Sequence, residues 1–166
     1  MRVISTVQPS GPPPDKPQIL NPVLVTLDVP LFYQTERGPT LWAHPVFCAA
    51  KFADSVLLQL NRFALEHSYA LVHLGFYNPR KARRRDGTFI TPIRWSNHAF
   101  GGAVDFKGVI SQSGEGDFLQ VARMPADQVA DIREECARAI LGVGERPEIV
   151  DEGAWLHIGI WHSVTL

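Results

Sequence analysis

The sequence predicts an α+β domain, with helices packed on a small, largely antiparallel sheet, and three observations carry that expectation. Residues 46–66 and 125–141 place apolar side chains at helical spacing. Short runs at 68–76, 103–106 and 154–161 are apolar or β-branched, as strands are. The resulting order is helix, strand, loop, strand, helix, strand, with no internal repeat. At 166 residues the chain suits one domain with a sizeable core. Its 16 basic and 17 acidic residues nearly cancel, so no global field points to a nucleic acid or a membrane surface. No apolar run approaches the ~20 residues that a membrane span needs.

Residues 1–22 read as a proline-rich N-terminal arm, because Pro9, Pro12, Pro13, Pro14, Pro17 and Pro22 favour an extended, polyproline-like chain. Residues 23–166 then make the single domain. The first nine residues hold no apolar h-region and no cleavage-like site, so no secretory signal is expected. Residues 23–29 are a strand candidate bounded by prolines, and 31–45 a loop holding Phe32, Tyr33, Trp42 and His44. In the first helix Phe47, Val56, Leu57, Leu60, Phe63 and Ala64 take the apolar side; Lys51, Asp54 and Arg62 take the polar one. His73 sits inside the buried strand that follows and is expected in the core. Residues 78–94 form a long loop with Arg80, Lys81, Arg83, Arg84, Arg85 and Arg94 against Asp86 alone, either a solvated charge run or a basic rim. Residues 109–118 read as a polar surface insertion. The second helix carries Val129, Ile132, Cys136 and Ile140 as its stripe, with Pro125 in the first turn and Gly142 or Gly144 as the stop. Cys48 and Cys136 are expected as separately buried thiols rather than a disulfide. Residues 145–153 lead into the last strand.

Chemistry concentrates in Ser96-Asn97-His98-Ala99-Phe100-Gly101-Gly102-Ala103-Val104-Asp105, which sets a histidine and a carboxylate seven residues apart. Near the C-terminus, Trp155-Leu156-His157-Ile158-Gly159-Ile160 adds a second imidazole. Two imidazoles and a carboxylate leave a fourth position open for water, the arrangement of a catalytic zinc site. Ligands sit ~2.0–2.2 Å from zinc, whereas seven residues of straight strand span roughly 23 Å. The chain between His98 and Asp105 must therefore turn back, and Gly101-Gly102 supplies the φ freedom. On the last strand Trp155 and His157 share a face by the period of two, while His162 falls on the other and cannot join the same metal.

The pattern Ser-x-His-x-x-Gly-x-Ala-x-Asp, followed roughly fifty residues later by Trp-x-His, resembles the zinc peptidases of the D-alanyl-D-alanine carboxypeptidase and L-alanyl-D-glutamate endopeptidase family. That family includes VanY-like enzymes and many phage endolysins, and shares its fold with the Hedgehog signalling domain. The resemblance covers residues 45–162 and implies that fold, Zn2+ on His98, Asp105 and His157, and a peptidoglycan peptide as substrate. Without a signal peptide, such an enzyme would be made in the cytoplasm and reach the wall through lysis, a virion or another export route. The resemblance offers Ser96, Trp155 and Tyr77 as substrate contacts; Tyr77 occupies the place of the family's arginine, with Arg80 three residues on as the catalytic candidate. The family's general base, a glutamate three before the last ligand, is replaced by Ala154. Glu152 is the nearest carboxylate, with Asp151 beside it, and on a straight strand it would point away from His157 unless the chain bulges at Gly153. The alternatives are a catalytically impaired zinc-binding module that is structural or wall-binding in a phage or injection device, and a metallohydrolase acting on some non-wall amide. No HExxH helix, nucleophile elbow or Gly-rich phosphate loop points to another enzyme class.

Overall fold

The computed structural model describes residues 1–6, 17–84 and 86–162, so Pro9, Pro12, Pro13, Pro14 and Arg85 lie outside the described residues. The architecture is mixed, two β-sheets and a few helices, compatible with the α+β expectation. β1 (Arg2–Thr6), β2 (Pro22–Thr26) and β5 (Val46–Ala49) form a three-stranded sheet in the order β1-β2-β5. The larger, seven-stranded sheet runs β4-β3-β6-β7-β10-β9, with β8 (Leu119–Gln120) also on β7. Its other members are β3 (Leu31–Thr35), β4 (Gly38–Leu41), β6 (Tyr69–His73), β7 (Ala103–Ser111), β9 (Pro147–Asp151) and β10 (Leu156–Ile160). Every pairing is antiparallel except β3 with β6.

Several expectations need correction. The first residues of the proposed arm belong to the folded body, because Arg2–Thr6 pairs antiparallel with β2, Arg2 opposite Thr26. The stretch 31–45 is mostly a hairpin rather than a loop. Its turn is closed by Thr35, whose Oγ1 donates to Gly38 O (2.8 Å) and accepts from the Arg37 amide (3.2 Å). Residues 46–49 form a strand, not the first turn of the helix. Val46 and Cys48 are buried on one face of β5, and its ladder with β2 outweighs the helical periodicity that their apolar character also satisfies. The helix begins at α1 (Ala50–Phe52), widens into a π-turn over Ala53–Leu57 and continues as α2 (Leu58–Glu66). β7 extends through Val109 and Ile110, both buried, so the polar insertion starts only after Ser111. Residues 147–151, expected as a lead-in, are an edge strand.

The second helix, α3 (Ala126–Gly142), starts and stops as its sequence suggests. Gly144 takes φ 77° and Glu145 N–H reaches back to Ile140 O (3.1 Å), the six-to-one bond of a glycine-terminated helix. Ile132, Cys136 and Ile140 from α3 bury against Leu156, Ile158 and Ile160 of β10 and the α2 stripe of Leu60, Phe63 and Ala64. Both cysteines are buried and unpaired, and burial pushes each thiol up to about 12. Among the described residues no helix is long and apolar enough to cross a membrane. The helices therefore occupy one face of the larger sheet, and the alternate side chains of β7, β9 and β10 are left for the other.

Candidate metal centre

Side-chain parity builds the site. Asp105 on β7 lies directly opposite His157 on β10, so both side chains leave the same face of the sheet. Their neighbours Val104, Phe106, Leu156 and Ile158 point into the core. The Asp105 backbone is held on its other side too: its carbonyl accepts from Leu74 N–H (2.9 Å) and its amide donates to Gly75 O (3.2 Å). His98 arrives from a one-turn 3-10 helix, Asn97–Phe100, folded over that face. Ser96 Oγ caps the turn by accepting the His98 amide (3.4 Å), and Gly101 closes it at φ 64°. A Cβ on Gly101 would come within 2.9 Å of Ala49 N, so the turn-back between His98 and Asp105 needs glycine there.

The three side chains converge, with one ligand atom from each of His98, Asp105 and His157 within 4.8 Å of the others. Asp105 Oδ1 lies 3.1 Å from His98 Nε2 and 3.0 Å from His157 Nδ1. Tetrahedral ligands ~2.1 Å from a shared cation stand about 3.4 Å apart, close to these separations. His98 Nδ1 donates to Phe76 O (2.6 Å), which places its proton away from the cluster and turns the Nε2 lone pair toward a carboxylate oxygen. Two lone pairs at that distance repel unless a proton or a cation lies between them. The donor set fits a metal ion, and the Phe76 carbonyl is the kind of outer partner that fixes the tautomer of a ligating histidine. Burial alone would raise the Asp105 carboxyl, but hydrogen bonds and charge from His157 and His98 outweigh it and hold the group well below the usual carboxylate range.

The cluster forms the floor of a cavity of about 420 Å³. Arg80, Ser96, Glu152 and Trp155, all expected at the site, line it. Tyr77 does not; it is exposed and packs edge-on against Phe47 (5.4 Å). His162 is away from the cluster, stacked on Phe100 (4.3 Å), and His73 is in the core, as expected.

Glu152 reaches the cavity for a reason that parity along one strand misses. β9 and β10 form a hairpin with Val150 opposite His157, and Glu152 N–H donates to Trp155 O (3.0 Å) across its end. Gly153, at φ 79°, makes the reversal, and Ala154 N–H turns back onto Glu152 O (3.0 Å). Glu152 therefore belongs to the β9 face that also presents Glu148 and Val150, and all three line the cavity. A sharp turn at Gly153, rather than a bulge, brings Glu152 to the site. Asp151 instead accepts the Gly153 amide (2.8 Å) and lies outside the cavity lining.

Glu148 was not singled out from the sequence. Glu148 Oε1 pairs with Arg94 (3.1 Å), its Oε2 accepts from the side-chain Nδ2 of Asn97, and Arg94 also contacts Asn97 Oδ1 (3.4 Å). This ties the residue before His98 to the edge strand. The alternation Glu148, Val150, Glu152 was the available signal, a period of two that marks one face of a strand. No protein-family model, curated protein or solved structure matches the chain.

Proposed function

We propose that the protein is a zinc-dependent peptidase of the D-alanyl-D-alanine carboxypeptidase and L-alanyl-D-glutamate endopeptidase type, with the fold of that group, hydrolysing peptidoglycan stem or cross-bridge peptides. The observation that carries this is the convergence of His98, Asp105 and His157 on the floor of a cavity that also holds Glu152, a carboxylate with no ion-pair partner among the described residues. Zinc held there would supply a water of lowered pKa and a polarised scissile carbonyl.

The chain's own groups then divide the work. Asp105 stays ionised between two imidazoles, and Glu148 is taken by Arg94 and Asn97. Among the described carboxylates of the cavity, that leaves Glu152 to take the proton of the attacking water and return it to the leaving amine. Trp155 gives the wall an apolar surface for a peptide side chain, beside Lys107, whose Nζ lies 5.9 Å from the ring. Arg80 lines the wall where it would meet the substrate's carbonyl or carboxylate.

Ala154, at the position of the family's glutamate, favours a second reading, a zinc-binding module that holds wall peptides without cutting them. Digestion of purified peptidoglycan with zinc-loaded protein, read by mass spectrometry, decides between the two and identifies the bond. Soluble peptide products are expected, and Glu152→Gln should keep its zinc yet slow their release about 10²–10⁴-fold, the usual scale of general acid–base catalysis. Intact wall with full zinc content would select the binding module. Equal rates for wild type and variant would remove Glu152 from the mechanism.

A further inference from the structure

We infer that the arginine-bearing segment over the ligand cluster is a subsite for a peptide carrying at least two carboxylates, an inference that rests on the peptidase proposal and narrows its substrate. Residues 80–84 and 86–95 are organised. Ala82 N–H donates to Arg94 O (2.9 Å), Ile90 N–H to Ala82 O (3.3 Å) and Arg84 N–H to Thr88 O (2.7 Å). Bridges join Lys81 to Trp95 and Arg83 to Phe89, so the segment folds as a small hairpin with Ala82 buried beneath it. It presents Arg80, Arg83 and Arg84 to the cavity.

Those guanidiniums have no carboxylate partner among the described ion pairs, whereas Arg94 is already held by Glu148. Arg83 lies over the Phe89 ring (4.9 Å), which fixes its plane and leaves its N–H edges for a planar acceptor. Asp86 feels the charge of Arg84, but its first hold is on Thr88 and it does not line the cavity. With Glu148 taken by Arg94 and Asp105 held between two imidazoles on the floor, Glu152 is the one remaining carboxylate among the described lining residues against three cations, in a chain whose net charge is -1. Such a wall draws a ligand that brings two or more carboxylates. A free dipeptide brings one, together with an ammonium that the arginines repel. The acidic stretch of a stem peptide, rather than its terminal dipeptide, is what this wall recognises.

The test is binding to metal-free protein, so that zinc and turnover play no part. An acetylated, amidated Ala-Glu-Glu tripeptide is compared by calorimetry with its Ala-Gln-Gln counterpart. At low salt the diacid should bind roughly tenfold tighter, the combined scale of a few exposed ion pairs, and the gap should shrink at high salt. R80Q/R83Q/R84Q should abolish the preference while its zinc affinity, the control for folding, stays unchanged. Equal binding of the two peptides, or a preference that survives in the triple variant, overturns the subsite. Inorganic phosphate displacing the diacid at lower concentration than succinate does would overturn the carboxylate assignment in favour of a phosphate-bearing ligand. Failure here leaves the zinc peptidase standing, and absence of zinc from the wild type leaves this measurement intact.

Discussion

Two of the three candidate metal ligands sit on paired strands and the third on a single helical turn, and the two regions hold their residues by different means. Asp105 and His157 are placed by register: once β7 and β10 pair, the two side chains must share a face. His98 has no ladder beneath it. Its position depends on the Ser96 cap, the left-handed Gly101, the Phe76 carbonyl on its ring and the Glu148 contacts to Asn97 next door. A ligand placed by a sheet is removed only by changing that ligand. A ligand placed by a turn is exposed to changes at several other residues.

The largest expected effect separates the two directly. His157→Ala and His98→Ala should each lower zinc affinity by more than about a hundredfold, beyond the 10–100-fold typical of outer-shell changes. Both variants remove a hydrogen-bond partner of Asp105, but only His98→Ala also leaves the Phe76 carbonyl without its donor, so it should weaken the metal-free fold by about 1–3 kcal/mol more than His157→Ala does. Chelator competition measures the first quantity and urea unfolding of metal-free protein the second. Equal stability of the two metal-free variants would mean that the Phe76 contact does not hold the turn.

A smaller effect sharpens the comparison from the side of the turn. Glu148→Ala touches no ligand, yet it releases Arg94 and Asn97 together and should lower zinc affinity about tenfold. The absorption spectrum of the cobalt-substituted protein should shift as His98 loses its fixed orientation, which a purely global destabilisation would not produce. Glu148→Gln, which keeps an oxygen acceptor for Asn97, should recover part of the affinity. An unchanged cobalt spectrum in Glu148→Ala would make these contacts irrelevant to the metal centre.

The same contrast governs what could be seen in the sequence. The clustering of His98, Asp105 and His157 was legible because the resemblance joins their two short motifs, and α3 because its stripe and glycine stop agree. The strand at 46–49 was not legible: Val46, Phe47 and Cys48 fit a helix face and a strand equally, and only pairing with β2, more than twenty residues earlier, decides. Glu152 shows the same limit in the site itself. Counting along one strand points it away from His157, while the reversal at Gly153 makes it the continuation of β9, whose alternation puts it on the His157 face. The Glu148 contacts to Arg94 and Asn97 bring together residues about fifty positions apart, and nothing local announces them.

The smallest effect tests the support beneath the turn. His73 is 2% exposed, both of its ring nitrogens lack partners among the described residues, and it packs against Phe76, whose carbonyl holds His98, with ring centres 4.4 Å apart. Trp42 and Tyr33 complete its surroundings at 5.3 and 5.6 Å. Burial lowers its pKa to about 4, so the ring is neutral in the fold at neutral pH. An unfolded chain takes up that proton near pH 6.5, and the folded one does not until pH falls toward 4. The stability contributed by the neutral ring is thus fully present above pH 6.5 and declines as pH falls through this window. Between pH 7 and 5.5 the metal-free wild type should lose about 1 kcal/mol more than metal-free His73→Phe, since the remaining histidines are common to both and cancel. Urea unfolding at the two pH values measures the difference. Identical losses would place His73 in contact with water or a proton acceptor, and the packing under Phe76 would then not be the dry support that holds the turn.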